Sequence, residues 1–300
     1  MEGKIFEVRI NESRNQKGLS YVKEGNRNSM LIMTGMQEHA SRYQAFAEFL
    51  NELGYNVHVL DAVGQGLNAP KVEDLQKWYV GAFDDNVKAA NIKINELRKE
   101  SDKVILFGHS MGSFMTQRYL ELYPDTTDGV IICGTDGPNA GKMNMAYTLA
   151  SIVVNKKNWD KPSKFLSNLA MGGYSKAVKE RESDLDWLSY NKENVKKYEA
   201  DEYSGHTNTN GFWKEFLKGM KTLYSKDEWN KISRKEHILI IAGEDDPVGQ
   251  LGKGPRKLKE TLDKMDVKDV KIVMFDKMRH EILNEDKKED VYKVVEDFLK

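Results

Sequence analysis

Short apolar segments rich in β-branched residues alternate with segments of helical periodicity along most of the chain. Apolar runs of this length predict strands, and apolar residues spaced three and four apart predict helices. Residues 5–10 and 19–24 are predicted to form an opening hairpin, and further strands are predicted at 29–33, 56–60, 104–107, 129–133, 237–242 and 270–275. Helices are predicted at residues 43–53, 84–99, 111–123 and 291–299. This alternation predicts an α/β fold with a mostly parallel central sheet flanked by helices.

One long stretch, residues 137–224, lacks this strand rhythm. It contains methionine and tryptophan residues such as Met143, Met145 and Trp187 among lysines and asparagines, which indicates several helices joined by loops. The sheet pattern resumes after it. We therefore predict one core formed by residues 1–136 and 225–300, with a helical cap insertion of residues 137–224. The apolar side chains of the cap either line a pocket or pack the cap internally.

The charge balance and the single cysteine limit the classes of partner and compartment. With 46 basic and 47 acidic residues the net charge is -1, so we expect no nucleic-acid partner. Cys133 is the only cysteine, which excludes an intrachain disulfide and is typical of a reducing compartment. The first ten residues lack the apolar run of a signal peptide, and no segment reaches the ~20 apolar residues of a membrane span. A cytoplasmic location is therefore expected.

A candidate nucleophile lies between a predicted strand and a predicted helix. Residues 108–112 read GHSMG, and the apolar run VILF at 104–107 precedes them directly. The G-x-S-x-G pattern in a strand–turn–helix setting is typical of the nucleophile elbow of α/β hydrolases. The turn would expose the hydroxyl of Ser110 at the carboxyl end of the sheet and at a helix N-terminus, where free N–H groups can bind an oxyanion. The alternative is that Ser110 only caps the helix.

A serine hydroxyl needs a general base to attack a carbonyl. The order of catalytic residues along the chain makes His280 the candidate for this base. In α/β hydrolases the order along the chain is Ser, then Asp or Glu, then His. Of the three histidines after Ser110, His237 begins a strand, at the wrong end for a site at strand carboxyl ends, and His206 lies in the insertion. His280 follows the last predicted strand in a loop.

The acid that orients this base should follow the carboxyl end of a strand. Residues 243–248 read GEDDPV after the strand at 237–242. Asp246 is the preferred candidate, because a residue before proline is held extended and a buried carboxylate there would hold the imidazole tautomer. Asp245 and Asp136 remain alternatives. The three residues Ser110, Asp246 and His280 together predict a serine hydrolase.

Several further motifs appear in one order along the chain. Residues 34–43 read TGMQEHASRY, residues 61–66 read DAVGQG and residues 280–285 read HEILNE. Together with GHSMG and GEDDPV, these segments resemble the motifs of the monoacylglycerol lipase and lysophospholipase-like branch of the α/β hydrolases. The resemblance covers nearly the whole chain and is least specific in the insertion.

The resemblance implies an α/β-hydrolase fold and hydrolysis of carboxylic esters with an apolar acyl chain through an acyl-enzyme. It implies that the backbone N–H groups of Met36 and Met111 form the oxyanion hole, and that the insertion covers the site and holds acyl chains. The ester would be a small molecule or a lipid, and no cofactor is implied. A transient contact of the cap with a membrane surface and the oligomeric state are left open.

Two positions depart from the branch. Thr34 stands where its motif has histidine, and Val63 stands where its motif has arginine. Because the oxyanion donors are backbone groups, Thr34 need not abolish activity, although it changes the hydrogen bonds that support the loop. Val63 removes a structural contact and leaves the triad untouched.

Three other interpretations compete with an esterase. Glu38 and His39 could form a metal site with His280 and Glu281, but no H-x-x-x-H or C-x-x-C spacing supports one, so these residues are expected to support the loop and no metal is predicted. Cys133 follows an apolar run and is expected to be buried and unreactive. A peptidase or amide hydrolase of the same fold and a non-catalytic binding member are the alternative functions.

Overall fold

The central sheet contains eight strands in the computed structural model, which describes residues 2–300. The strands are β1 (Lys4–Arg9), β2 (Asn15–Tyr21), β3 (Asn28–Met33), β4 (Tyr55–Leu60), β5 (Val104–His109), β6 (Gly129–Cys133), β7 (His237–Gly243) and β8 (Asp269–Phe275). Their order across the sheet is β1-β2-β4-β3-β5-β6-β7-β8. β1 and β2 are antiparallel to their neighbours, and all pairs from β4 to β8 are parallel.

Helices cover both faces of this sheet. They are α1 (Gln44–Glu52), α2 (Ala82–Leu97), α3 (Met111–Leu122), α4 (Ala140–Val153), α5 (Lys164–Met171), α6 (Tyr174–Ala177), α7 (Lys192–Ala200), α8 (Asn210–Leu223), α9 (Lys226–Trp229), α10 (Lys253–Lys264) and α11 (Lys288–Leu299). No helix within residues 2–300 combines the length and apolarity that crossing a bilayer requires.

The alternation of side chains along each strand divides the core into two layers. In β3, Leu31 and Met33 belong to the cluster that includes α2, α3 and α8. Met30 and Ile32, one residue out of phase, belong to the cluster that includes α1 and α11. The central strands therefore carry apolar side chains on both faces, as a parallel sheet covered on both faces requires.

The predicted strands and helices are confirmed as elements, with small shifts at their ends. The largest shift is in the opening hairpin, where Arg9 pairs with Asn15 and the turn closes through the bond from Ile10 N to Arg14 O, 2.9 Å. β2 therefore begins four residues before the predicted strand. The sequence pattern did not predict α10, in which lysines dominate and Leu258 and Leu262 supply the buried stripe.

The chain between β6 and β7 forms α4 to α9 and no strand of the sheet. It leaves β6 at its carboxyl end, the edge of the sheet at which β5 delivers Ser110. α4 and α5 both contact α8, which in turn contacts α2 and α3 of the core. This position places the insertion over the edge that carries the candidate chemistry.

Candidate active site

Ser110 occupies a strained turn between β5 and α3. Its backbone angles are φ 53° and ψ −118°, a combination that an L-residue adopts only when the surroundings enforce it. A Cβ on Gly112 would lie 2.1 Å from the carbonyl oxygen of Met33, and one on Gly108 would lie 2.3 Å from Thr116 Oγ1. Both positions therefore need glycine because α3 packs directly against β3 and β5. The turn holds Ser110 at the N-terminus of α3, half-buried.

His280 and Asp246 meet in the interior at the carboxyl edge of the sheet. Nδ1 of His280 lies 2.9 Å from Oδ2 of Asp246, and both side chains are buried. Because an ionised carboxylate only accepts, Nδ1 carries the proton and Nε2 is left as the basic nitrogen. Oδ1 of Asp246 accepts a bond from the N–H of Val248, 2.8 Å, which orients the carboxylate.

Two aromatic rings pack near the imidazole of His280. The His109 ring lies with its centroid 4.9 Å away, and the Trp187 ring, from the insertion, lies 5.3 Å away. A Cβ on Gly134 would lie 3.2 Å from Cε1 of His280, so this glycine gives the ring its space. The imidazole is thus held by packing as well as by Asp246.

The two alternative acids are engaged elsewhere. Asp245 accepts a hydrogen bond from the hydroxyl of Tyr190, 2.8 Å. Asp136 follows β6 and accepts bonds from Gln250 Nε2 at 2.7 and 3.0 Å. Of the three candidates, the structure brings Asp246 to His280.

The loop after β3 brings Met36 to the same cavity as Ser110. A Cβ on Gly35 would lie 3.1 Å from the Cβ of Ser110, so the loop passes directly beside the nucleophile. Met111, the first residue of α3, lies on the other side of Ser110 in sequence and lines the cavity as well. Both predicted oxyanion donors therefore belong to segments that adjoin the serine.

Gln65 braces this loop, a role that the sequence analysis did not assign. Its amide Nε2 donates to the carbonyl oxygens of Gly35, 2.8 Å, and Glu38, 3.1 Å, and its Oε1 accepts from the N–H of Gln37, 2.9 Å. Gln65 is fully buried, so these bonds are shielded from water. They stabilise the loop although Thr34 replaces the histidine of the resembling branch.

Val63, the second departure, is buried in a turn supported by backbone bonds. Its N–H donates to Oδ1 of Asn86, 2.9 Å, and its carbonyl accepts from the indole N–H of Trp78, 2.6 Å. The side chain joins the apolar cluster on the α2 and α3 face. The turn is therefore maintained without an arginine at this position.

A buried ionic network lies behind the site. Glu38 accepts bonds from His109 Nδ1, 3.1 Å, and from the hydroxyl of Tyr43, 2.7 Å. Arg42 joins Glu38, 3.1 Å, to Glu281, 2.7 and 2.8 Å. Burial alone raises the pKa of Glu38, yet its contacts with His109 and Arg42 lower that pKa to about 2. Burial lowers the pKa of His109, but the facing Glu38 carboxylate reverses this and raises the pKa above its ordinary value.

This network accounts for the residues that a metal site would have used. Glu38 and Glu281 share Arg42, and His39 pairs with Asp201 through Nε2 at 2.5 Å. The interpretation of these residues as loop supports is therefore favoured by their contacts. Cys133 is completely buried, and burial raises the pKa of its thiol.

The insertion is hydrogen-bonded to the loop that carries His280. The N–H of Glu281 donates to the carbonyl of Leu188, 2.7 Å, and Arg279 Nη1 donates to the carbonyl of Asp186, 2.6 Å. Glu285 accepts from the backbone N–H groups of residues 190, 191 and 279 and from Ser189 Oγ. We call residues 186–191 the strap. It touches the chain on both sides of His280.

A cavity of about 400 Å³ opens between the core and the insertion. Ser110, Met36, Met111 and His280 lie in its wall. The remaining wall is mostly apolar and includes the side chains of Phe114, Met143, Met145, Leu149, Leu166, Leu169, Trp187, Trp213, Phe216, Leu217 and Met220. The cap residues singled out from the sequence thus line this cavity.

Comparisons with known proteins identify the family of the chain. Residues 24–287 match the profile of the family described as Serine aminopeptidase, S33. No curated protein shows a significant sequence match to the chain.

Solved structures share the fold over the full chain. A thermostable carboxyl esterase from Bacillus coagulans has a TM-score of 0.88 at 22% identity and covers 100% of this chain and 98% of its own. A monoacylglycerol lipase from Paleococcus ferrophilus has a TM-score of 0.67 at 22% identity, with 100% and 98% covered. A monoglyceride lipase variant from Saccharomyces cerevisiae has a TM-score of 0.73 at 17% identity, with 100% and 94% covered. The predicted α/β-hydrolase fold is therefore confirmed.

Proposed function

Because the chain belongs to the serine aminopeptidase S33 family of hydrolases, we propose that it hydrolyses carboxylic esters with an apolar acyl chain, of the monoacylglycerol or lysophospholipid type. Ser110 is the nucleophile, His280 the base and Asp246 the acid that orients it. Residues 137–224 act as the cap, and residues 1–136 and 225–300 as the catalytic core.

The observation that carries this proposal is the mostly apolar cavity whose wall includes both Ser110 and His280. An apolar wall binds an alkyl chain by removing its surface from water, and a few polar groups at one place then orient the reacting bond. Carboxyl esterases and monoacylglycerol lipases among proteins of the same fold are consistent with this substrate class.

The first half of the reaction forms an acyl-enzyme. Nε2 of His280 takes the proton of the Ser110 hydroxyl as Oγ attacks the carbonyl carbon of the ester. The negative charge that develops on the carbonyl oxygen is stabilised by the N–H groups of Met36 and Met111. His280 then gives its proton to the leaving alcohol as the C–O bond breaks.

The second half repeats this chemistry with water. His280 takes a proton from a water molecule, whose oxygen attacks the acyl carbon bound to Ser110. The proton returns to Oγ of Ser110 when the carboxylic acid leaves. Asp246 stays ionised throughout and stabilises the imidazolium that forms in each half.

A peptidase acting on aminoacyl substrates is the second candidate, and Asp136 favours it. Asp136 lies in the wall of the same cavity. A carboxylate there suits the ammonium group of an aminoacyl substrate, as the description of the family would require. Gln250 already donates to both oxygens of this carboxylate, and Gly137 donates to one. Few acceptor positions are left for an ammonium, so the ester remains the preferred substrate.

Labelling with a fluorophosphonate, followed by a substrate panel, tests the proposal. Wild-type protein should become labelled on Ser110 and should hydrolyse p-nitrophenyl esters of medium-chain acids faster than aminoacyl anilides. Faster cleavage of the anilides, lost in Asp136→Asn while ester cleavage persists, would establish the peptidase instead. A protein that is neither labelled nor active on either panel would be a non-catalytic member of the fold.

A further inference from the structure

One segment of the insertion, residues 198–208, is hydrogen-bonded to the loop after β3. The hydroxyl of Tyr198 donates to the carbonyl oxygen of Gln37, 2.9 Å, and the N–H of Gly205 donates to the same oxygen, 3.0 Å. Tyr198 is buried, so the first of these bonds is shielded from water. A single carbonyl of the core therefore accepts two hydrogen bonds from the insertion. We call residues 198–208 the clamp.

Two further contacts of the clamp lie on either side of Gln37. Asn208, which is fully buried, donates from Nδ2 to the sulfur of Met36, 2.8 Å. Asp201 pairs with Nε2 of His39 at 2.5 Å. The clamp thus contacts the loop before, at and after Gln37.

Gln37 has a backbone conformation that needs this support. Its φ is 63°, in the left-handed region that a residue with a side chain adopts only when its surroundings enforce it. Its N–H donates to Oε1 of Gln65, 2.9 Å, whereas its carbonyl is bound by the clamp. Because Gln65 belongs to the core, the strained turn is held from the core on one side and from the insertion on the other.

This turn determines where the N–H of Met36 points. The carbonyl of Gly35 accepts from Nε2 of Gln65, 2.8 Å, and the N–H of Met36 lies on the opposite side of the same trans peptide. The next peptide joins Met36 to Gln37, so relaxation of Gln37 would displace Met36. Displacements of about 1 Å are already costly for a group that acts in a transition state.

From these contacts we propose that Tyr198 is a positioning residue for the oxyanion hole. Through the carbonyl of Gln37, its hydroxyl holds the N–H of Met36 where the negative charge of the ester carbonyl develops. The inference deepens the proposed function and rests on it, because it needs Met36 as an oxyanion donor. Stabilisation of the transition state then depends on the insertion as well as on the core.

Replacing Tyr198 by phenylalanine tests the hydroxyl separately from the ring. The ring lies over the guanidinium of Arg42, with Cζ 4.8 Å from the ring centroid, and it lines the cavity. Phenylalanine retains both features. In Tyr198→Phe we expect kcat for an acetyl ester to fall about tenfold, with KM within about twofold of wild type, because the oxyanion hole acts on the transition state. Thermal unfolding checks that the fold persists.

An inhibitor that forms an oxyanion gives a readout that a merely structural role would not move. When an alkyl trifluoromethyl ketone binds, Oγ of Ser110 bonds to the carbonyl carbon, the C=O π bond becomes an oxyanion, and the serine proton passes to His280. The Ki of this ketone should rise in Tyr198→Phe by the same factor as kcat falls. The Ki of an alcohol of equal chain length, which forms no oxyanion, should not change. Equal increases in both Ki values, or no increase in either, would overturn the proposal.

Tyr203→Phe is the matched control. It removes the hydroxyl of another half-buried tyrosine of the clamp, one that forms no hydrogen bond within residues 2–300. We expect wild-type kcat and wild-type Ki values for this variant. A loss as large as that of Tyr198→Phe would contradict a specific role of the bond to Gln37.

Fluorine NMR of the bound ketone separates this proposal from the proposed function, since it needs no substrate. If wild type hydrolyses esters and Tyr198→Phe matches it in kcat and in ketone binding, the positioning role alone is contradicted. If wild type cleaves amides in place of esters and Tyr198→Phe binds the ketone more weakly, the ester assignment alone is contradicted. A wild-type protein that neither hydrolyses these substrates nor binds the ketone would contradict both.

Discussion

The indole of Trp187 packs against the imidazole of His280, with the ring centroids 5.3 Å apart and an angle of 41° between the planes. Trp187 belongs to the insertion, whereas His280 belongs to the core. The imidazole also lies close to the ring of His109, with the centroids 4.9 Å apart. The orientation of the proposed base therefore depends on a residue of the cap.

Replacing this indole should impair the chemical step. In Trp187→Ala the imidazole loses one packing partner, and we expect kcat for an acetyl ester to fall about 10- to 100-fold, because small misplacements of a catalytic group are costly. Trp187→Phe keeps an aromatic ring and should restore most of the rate. A change in KM alone, with kcat near wild type for both variants, would assign Trp187 to substrate binding only.

Removing the nucleophile or the base should abolish turnover without unfolding the protein. Ser110→Ala and His280→Ala should each lose ester hydrolysis by several orders of magnitude, because the residues of a triad act as a unit. Circular dichroism and thermal unfolding check that the fold persists. Activity of Ser110→Ala above about a tenth of wild type would show that another residue is the nucleophile.

The choice of acid can be tested with isosteric variants. Asp246→Asn should lower kcat strongly, although less than His280→Ala, because the amide no longer accepts the Nδ1 proton as a carboxylate does. Asp245→Asn and Asp136→Asn are the matched controls, since their carboxylates contact Tyr190 and Gln250 instead. If either control lost most of its kcat while Asp246→Asn stayed near wild type, the control residue would be the acid that orients His280.

The cavity should select acyl chains by length. Burying each further methylene is worth up to ~0.8 kcal/mol, so kcat/KM should rise from acetyl upward until the space of about 400 Å³ is filled. Met143→Trp, inside the wall, should move the optimum to shorter chains. Ile152→Trp, at an exposed position of α4 that does not line the cavity, is the matched control and should move it little. A profile independent of chain length in all three proteins would instead favour a small or polar substrate.

The ionic network should make the free energy of unfolding depend on pH in the acid range. The pKa of Glu38 is lowered from 4.5 to about 2, so its ionised form stabilises the native state above about pH 4.5, and that contribution is lost as the pH falls through about 2. Glu38→Gln should lower the free energy of unfolding at pH 7 on the order of 3 kcal/mol, since it leaves His109 without its carboxylate partner and Arg42 with Glu281 alone. Its stability should also fall less than that of wild type between pH 4.5 and 2.

Urea unfolding at several pH values measures the free energy of unfolding of wild type and Glu38→Gln. Glu73→Gln, which changes an exposed carboxyl group, is the control and should follow the wild-type curve. Parallel curves for wild type and Glu38→Gln over this pH range would show that Glu38 does not carry the acid dependence.

Local patterns were sufficient to predict the fold. Apolar runs such as the one at 104–107 and the glycines at 108 and 112 act over neighbouring residues, so the strand, the turn and the helix around Ser110 follow from the chain itself. The pairing of His280 with Asp246 was predictable for a related reason. Both residues follow parallel strands, whose carboxyl ends meet at one edge of the sheet.

Long-range polar contacts were not predictable. Arg42 and Glu281 are 239 positions apart, and nothing in the loop sequence TGMQEHASRY indicates which carboxylates its arginine binds. The bracing of that loop by Gln65 and the bonds from the strap to Glu285 are of the same kind. Such contacts depend on how two distant segments meet, and an amphipathic or apolar pattern carries no information about that.

The strap restricts how the site can exchange its contents. Residues 186–191 could leave the core only by breaking the bonds to Arg279 and Glu281 on either side of His280. A cap that lifted as one body would therefore disable the base each time product left. Product can leave without displacing His280 if only α4 and α5 move. The strap then keeps its hydrogen bonds to the core between catalytic cycles.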